Sequence, residues 1–327
     1  MARKFEITRK LEQMKRTQTK GKFGNLLDDS VAILNLPESF HCSKSCSGCI
    51  MRPNMALLTM ERREALPITY ILRYIDLFAV RYGTKFITIN GRGDPFHPMV
   101  AGQTRKKIAY ASKLGIQSLV FTSGDNITNE LAYYLFQHGT NIMLSLFGNL
   151  FVDAGFIERP DSYLSAGRGI HYLLNVYSSP SEENIVRLAF NYVVSEKDLH
   201  DPSKLVALKT AIEARGFVLV CNMDFFPDKY PLEIRVALAD LTVRHSTNNT
   251  AHSTVIDGVC QMGAGSSITI AANGDIYRCP YLVGNPDGNM LTFSPEELDR
   301  VIERYKTIRE YACVFRKTPV NFPNRSI

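Results

Sequence analysis

Three cysteines fall within eight residues, Cys42-Ser-Lys-Ser-Cys46-Ser-Gly-Cys49, in the spacing C-x3-C-x2-C. Thiolates this close on one loop can hold three irons of a cubane cluster and leave the fourth iron without a protein ligand. Zinc is the plainer use of clustered thiolates; it takes four ligands, and the neighbouring His41 would be the fourth. The other four cysteines are Cys221, Cys260, Cys279 and Cys313, which makes seven, an odd number. Clustered cysteines in a chain whose start lacks the apolar stretch of a secretory signal point to a metal or redox site before a disulfide framework.

Elements must carry this loop. Residues 31–36 (VAILNL) read as a buried strand with the cysteine run just beyond it. Further strands are expected at 85–90, 116–122, 141–147, 187–194 and 217–223, separated by helical patterns near 99–114, 128–138, 166–177 and 203–215. Short apolar strands alternating with longer amphipathic stretches give a parallel sheet with crossover helices. The fold class is therefore α/β, a partial (β/α)6 barrel of the TIM type. In such barrels chemistry gathers on the loops after the strand C-termini, where the cysteine run, Gly91–Pro95, Ser123-Gly124 and Ser145 all fall. After about residue 245 the rhythm changes. Residues 267–271 and 275–278 flank Asn273-Gly274, a hairpin signal, and Ser294-Pro295-Glu296-Glu297 opens a helix over 295–312. Three segments are expected: a basic arm over 1–28, the barrel over 29–245 and a small hairpin-plus-helix domain over 246–327.

Apolar residues make up 45% of the 327, enough for a sizeable core, and no apolar run reaches the ~18 residues of a membrane span. A cytoplasmic location is the expectation. The net charge of +6 equals the excess in residues 1–22, which hold eight Lys/Arg against Glu6 and Glu12. Such an arm is most simply a solvated helix; no aromatic residues interleave with its charges except Phe5 and Phe23, which argues against a nucleic-acid surface.

The C-x3-C-x2-C run after the first strand resembles the motif of the radical S-adenosylmethionine (SAM) superfamily. The resemblance implies that Cys42, Cys46 and Cys49 hold a catalytic [4Fe–4S] cluster whose open iron is chelated by SAM. Gly48 stands where many members carry an aromatic residue against the adenine. Gly93-Asp94-Pro95 resembles the Gly-Gly-Glu motif that meets the methionine amino group, through the shorter Asp94, a water or backbone carbonyls. Ser123 in Thr122-Ser123-Gly124, Ser145 and Asn191 match SAM-contacting positions after the third, fourth and fifth strands. Cys260 and Cys279, framing Gly274 as C-x13-G-x4-C, resemble the start of SPASM and twitch domains; with Cys313 they imply a second [4Fe–4S] cluster. Zinc, or no metal, is the alternative there. Cys221, at the end of the last barrel strand, faces either the active site, as a hydrogen donor or cluster ligand, or the core as a buried hydrophobe.

The implied activity is reductive cleavage of SAM to a 5′-deoxyadenosyl radical that abstracts a substrate hydrogen atom, fed by a flavodoxin- or ferredoxin-type electron donor. The expected substrate is a small molecule that is oxidised or rearranged. About 30 residues before the barrel are too few for a typical leader-peptide-binding domain, which ranks a ribosomal-peptide maturase second. A non-catalytic iron–sulfur or zinc protein is the alternative of another class.

Overall fold

Parallel strands buried on both faces must be built from near-continuous apolar runs, and those runs organise the molecule. The computed structural model describes residues 4–6, 31–44, 49–146, 167–178, 185–223, 230–247, 267–307, 310–311 and 320–321. The strands are β1 (Lys4–Phe5), β2 (Ile33–Asn35), β3 (Phe86–Ile89), β4 (Gln117–Thr122), β5 (Asn141–Ser145), β6 (Ile185–Val186), β7 (Leu188–Val194), β8 (Val218–Met223), β9 (Ser267–Ile270), β10 (Asp275–Tyr277), β11 (Gly288–Asn289), β12 (Glu310–Tyr311) and β13 (Val320–Asn321). The helices are α1 (Met55–Arg63), α2 (Ile68–Arg81), α3 (Ala101–Lys113), α4 (Asn129–Gln137), α5 (Arg168–Tyr177), α6 (Glu196–His200), α7 (Ser203–Ala214), α8 (Leu232–His245) and α9 (Pro295–Thr307).

Six strands, β2-β3-β4-β5-β7-β8, pair in parallel in that order. This is the expected α/β fold, a partial barrel with helices outside and, among the described residues, no pairing between β2 and β8. Alternate residues go to opposite faces. Ile89, Val120, Ile142, Leu144, Leu188, Phe190 and Leu219 pack outward against α4, α5, α7 and α8. Phe86, Met143, Ala189 and Val218 gather inside.

Two features depart from the sequence-based segmentation. The hairpin assigned to an appended domain continues the barrel sheet: β9 pairs in parallel with β2, Ile33↔Ser267 to Asn35↔Thr269, and β10 and β11 follow antiparallel. The turn is as expected, Gly274 adopting φ +88°, a left-handed conformation that costs glycine little. Helix α9 then packs Leu298, Val301, Ile302 and Tyr305 onto Ile71, Ile75 and Phe78 of α2, and its expected start is built as a capping box: Ser294 N donates to Glu297 Oε2 at 2.7 Å and Glu297 N to Ser294 Oγ at 3.3 Å. At the other end, Lys4–Phe5 of the basic arm is not a solvated helix. It pairs in parallel with Ile185–Val186, and Phe5, 2% exposed, joins the inner cluster. Among the described residues no helix is long and apolar enough to cross a membrane.

Candidate functional site

The cysteine loop leaves β2 at the C-terminal mouth of the barrel, and buried charge fixes its approach. Lys107 of α3 lies 2.9 Å from Glu38, both buried, and donates to the Leu36 carbonyl at 3.1 Å. Thr104 donates to Glu38 Oε1 at 2.8 Å. Removing any one partner would strand a buried polar group, so the segment from β2 to His41 is tightly specified.

From there the loop is held by its neighbours' backbones. Asp94 N donates to the His41 carbonyl at 2.8 Å. Gly93, at φ +69°, sits so close under that carbonyl that any side chain would collide with it. The His41 ring stacks against His97 at 5.4 Å, and its Nδ1 lies 3.2 Å from the Ser39 carbonyl oxygen. Beyond Cys42, Lys44 pairs with Asp125 of the loop after β4 at 2.9 Å. Cys42 and Cys49 are half-buried, and Lys44 N donates to Cys42 Sγ at 3.4 Å. Hydrogen bonds to the sulfurs are among a protein's levers on a thiolate-held cluster, so this half of the loop suits a thiolate-bound metal group. Cys46 and Gly48 lie outside the described residues. So do Cys260 and Cys313. Among the described residues no three His, Cys, Asp or Glu groups converge closely enough to hold a metal ion.

Asp94 stands at the strand end beside the cysteine loop, but its carboxylate is engaged within the protein. The residue is 3% exposed, and its carboxylate accepts from Phe96 N (2.9 Å), Thr122 Oγ1 (3.0 and 3.1 Å), Ser123 N (2.8 Å) and Ser123 Oγ (2.7 Å). Shortening the expected Glu by one methylene brings the carboxylate back onto its own loop and the end of β4. Asp94 and Ser123 therefore tie two strand-end loops together and spend their polar groups on each other. Pro95 turns its carbonyl to Thr104, 2.7 Å away. Ser145 and Asn191 do come together, paired in register on β5 and β7. Asn191 also accepts from Asn222 of β8, a partner the sequence reading did not single out.

For Cys221 the core is the reading of the two that the structure bears out. It points outward and is 0% exposed, in the core with Leu205, Leu208 and Leu238, and burial pushes its thiol up to about 12. On β8 the alternation sends Asn222, not Cys221, inside. A protonated thiol behind the sheet reaches neither the mouth nor the cysteine loop.

The residue the sequence reading missed is Arg92. Its 2%-exposed side chain crosses from the loop after β3 to the segment that follows Cys279. Nε donates to Glu61 of α1 at 2.9 Å, Nη1 to the Pro280 carbonyl at 2.5 Å and Nη2 to the Leu282 carbonyl at 2.6 Å, and the guanidinium lies over the Tyr277 ring. Burial pushes the Glu61 carboxyl up, with Arg92 opposing. Gly91, at φ +94°, lets Pro280 approach: a Cβ there would lie 2.6 Å from the Pro280 oxygen. Cys49 packs near Tyr281 and Val283 around Ile50, Met51 and Leu58. The half-buried Cys279 is thus carried to the same rim as the cysteine loop. An arginine between two glycines at a strand end was the available signal.

This arrangement has solved counterparts. Streptococcus suis SuiB bound to S-adenosylmethionine superposes with a TM-score of 0.58, covering 91% of this chain and 71% of that one at 14% identity. SuiB bound to precursor peptide SuiA gives 0.57, covering 91% and 72% at 16% identity. Native anSMEcpe with bound AdoMet and Cp18Cys peptide gives 0.52, covering 84% and 82% at 14% identity. No family model matches the chain, and no curated protein does. At these identities the likeness shows the fold: this chain has the architecture of proteins solved with S-adenosylmethionine at their sites.

Proposed function

We propose that this chain is a radical SAM enzyme. One observation carries the reading: a C-x3-C-x2-C loop, clamped at the mouth of a six-stranded parallel barrel by Asp94 and Asp125, occurs in a fold shared with SAM-bound proteins. Cys42, Cys46 and Cys49 would hold the [4Fe–4S] cluster. Together the cluster and SAM supply one-electron cleavage of a sulfonium C–S bond and hydrogen-atom abstraction. The chain's own part is orientation and exclusion. Asp94 and Ser123 fix the loops on either side of the SAM site, Ser145, Asn191 and Asn222 line the inner wall beside it, and the apolar floor below keeps water out of the barrel. A flavodoxin- or ferredoxin-type protein would deliver the electron.

A peptide is the substrate class we favour over the small molecule expected from sequence, because SuiB and anSMEcpe, whose fold this chain shares, were solved with peptides. Cys260, Cys279 and Cys313 would hold a second cluster; the placement of Cys279 at the rim beside the first cysteine loop supports that reading. The test is anaerobic reconstitution followed by SAM and dithionite. Wild-type protein should release 5′-deoxyadenosine, and faster with a pool of synthetic peptides present; the Cys42/Cys46/Cys49 triple-Ala variant should release none while keeping about four of about eight irons. Release of 5′-deoxyadenosine by the triple variant would remove the assignment.

A further inference from the structure

The loop after β3 raises a specific difficulty. The resemblance gives it the methionine amino group of SAM, yet every lone-pair direction of Asp94 is already met from within the protein. Another acceptor stands nearby. Along β3 the side chains alternate: Phe86 and Thr88 turn into the barrel, Ile87 and Ile89 out of it. The same alternation turns Asn90 inward at the mouth end. The inner-face polar groups just below are satisfied, Thr88 donating to Asn35 and Asn35 to the Ile268 carbonyl at 3.1 Å. Asn90 is not. It is 8% exposed, and its Oδ1 is fully buried and meets no donor among the described residues. A buried carbonyl oxygen without a donor is disfavoured by about 1–3 kcal/mol, so its persistence at a mouth points to an N–H brought by a ligand.

We propose that Asn90, rather than Asp94, receives the amino group of SAM, with Asn90 Oδ1 accepting one of its N–H bonds. This rests on the radical SAM reading above. The position is constrained from both sides. Asn90 directly precedes Gly91, which is locked against Pro280, and the next turn carries the Asp94–His41 contact that sets Cys42. An amide also supplies an acceptor without adding a buried negative charge beside the cysteine thiolates, where a second unpaired carboxylate would be costly.

The experiment is anaerobic equilibrium dialysis of reconstituted protein with SAM and with its analogue in which hydrogen replaces the amino group, alongside the electron paramagnetic resonance change that each ligand induces in the reduced cluster. The ratio of the two affinities isolates what the protein and cluster do with the amino group. Asn90→Ala should reduce that ratio about tenfold from wild type, the size of one lost hydrogen bond. Asn90→Asp, which keeps an acceptor, should retain it, as should Asp94→Asn. An unchanged ratio in Asn90→Ala, or a ratio lost in Asp94→Asn, overturns the assignment. Should Asn90→Ala reconstitute with less iron, Asn90→Asp decides: a ratio kept supports the proposal and a ratio lost overturns it. Wild-type protein that takes up its iron but binds neither ligand removes the radical SAM reading, and this inference with it.

Discussion

The two ends of the barrel interior are built on opposite physics. At the closed end Phe5, Phe86, Met143, Ala189 and Val218 fill space with apolar volume, and the plug itself is borrowed from the N-terminal strand β1. At the mouth the same strands turn to amides and hydroxyls, and the loops between them are held by charge: Arg92 on Glu61, Asp94 on Thr122 and Ser123, Lys44 on Asp125. Packing is tolerant, because a lost side chain is paid for in volume and the remainder can settle. Buried hydrogen-bonded charge is not tolerant, since loss of one partner leaves the other unsolvated. Stability should therefore be lost at either end, but cofactor geometry only at the mouth.

The sharpest way to break this contrast is Arg92→Met. It leaves Glu61 buried and alone and releases the Pro280 and Leu282 carbonyls. A loss of about 3–5 kcal/mol is expected from urea unfolding, with faster hydrogen exchange concentrated in residues 278–284. Adding Glu61→Leu should recover part of the stability, because no orphaned carboxylate remains, without restoring the exchange protection. A double variant no more stable than Arg92→Met would show that Glu61 is solvated when unpaired and that the clamp is weaker than its burial implies.

Phe5→Ala addresses the closed end. Truncating a buried Phe costs about 3 kcal/mol or more through transfer and cavity terms. SAM affinity and iron content should stay at wild-type levels, because Phe5 packs with Phe86, Met143, Ala189 and Val218 at the closed end. A fall in SAM affinity matching the fall in stability would erase the distinction between the two ends.

How much of this was legible beforehand follows the same division. Strands β2, β3, β4, β5, β7 and β8 were readable because burial on both faces demands apolar runs, and the loops after them announced themselves through Gly, Asp and Cys. The Asn273-Gly274 hairpin and the Ser294 cap are local chemistry, and both appeared where expected. What was hidden is non-local. The exception is α2, between the cysteine loop and β3: its buried Ile71, Tyr74, Ile75 and Phe78 keep helical spacing, a local signal that was open to reading. Nothing in Lys4–Phe5 signals a partner at Ile185–Val186, and nothing in the hairpin says that β9 pairs with β2. The direction of a side chain on a strand depends on a register of one residue: Cys221 faces the core because Asn222 faces the barrel. Likewise, Asp94 could be matched to a motif, but not its four donors, three of which sit 28 or 29 residues away in sequence.

Asp94→Asn tests that last point at smaller scale. An amide keeps one acceptor oxygen but presents a donor to Thr122 or Ser123, so a loss of about 2 kcal/mol is expected. Thermal unfolding of the unloaded protein would measure it. No loss would mean that the loops after β3 and β4 are held by Gly93 and the His41 carbonyl alone.

The smallest expected effect is at Cys221, and its pH dependence distinguishes a core thiol from a metal ligand. Burial among Leu205, Leu208 and Leu238 pushes the folded thiol up to about 12, from an ordinary value of 9.0. The folded chain then keeps a proton that the unfolded chain gives up first. Its contribution to stability is complete below the unfolded value and is lost as pH rises toward the folded one. At neutral pH Cys221→Ala should cost only about 1 kcal/mol, the loss of one small buried side chain. Between about pH 9 and pH 11 the wild type should lose stability more steeply than the variant, so the gap between their urea midpoints should narrow or reverse. Iron content should not change at any of these pH values, because the thiol lies behind the sheet. A variant that reconstitutes with fewer irons than wild type would instead place Cys221 among the ligands and require β8 to turn its other face to the mouth.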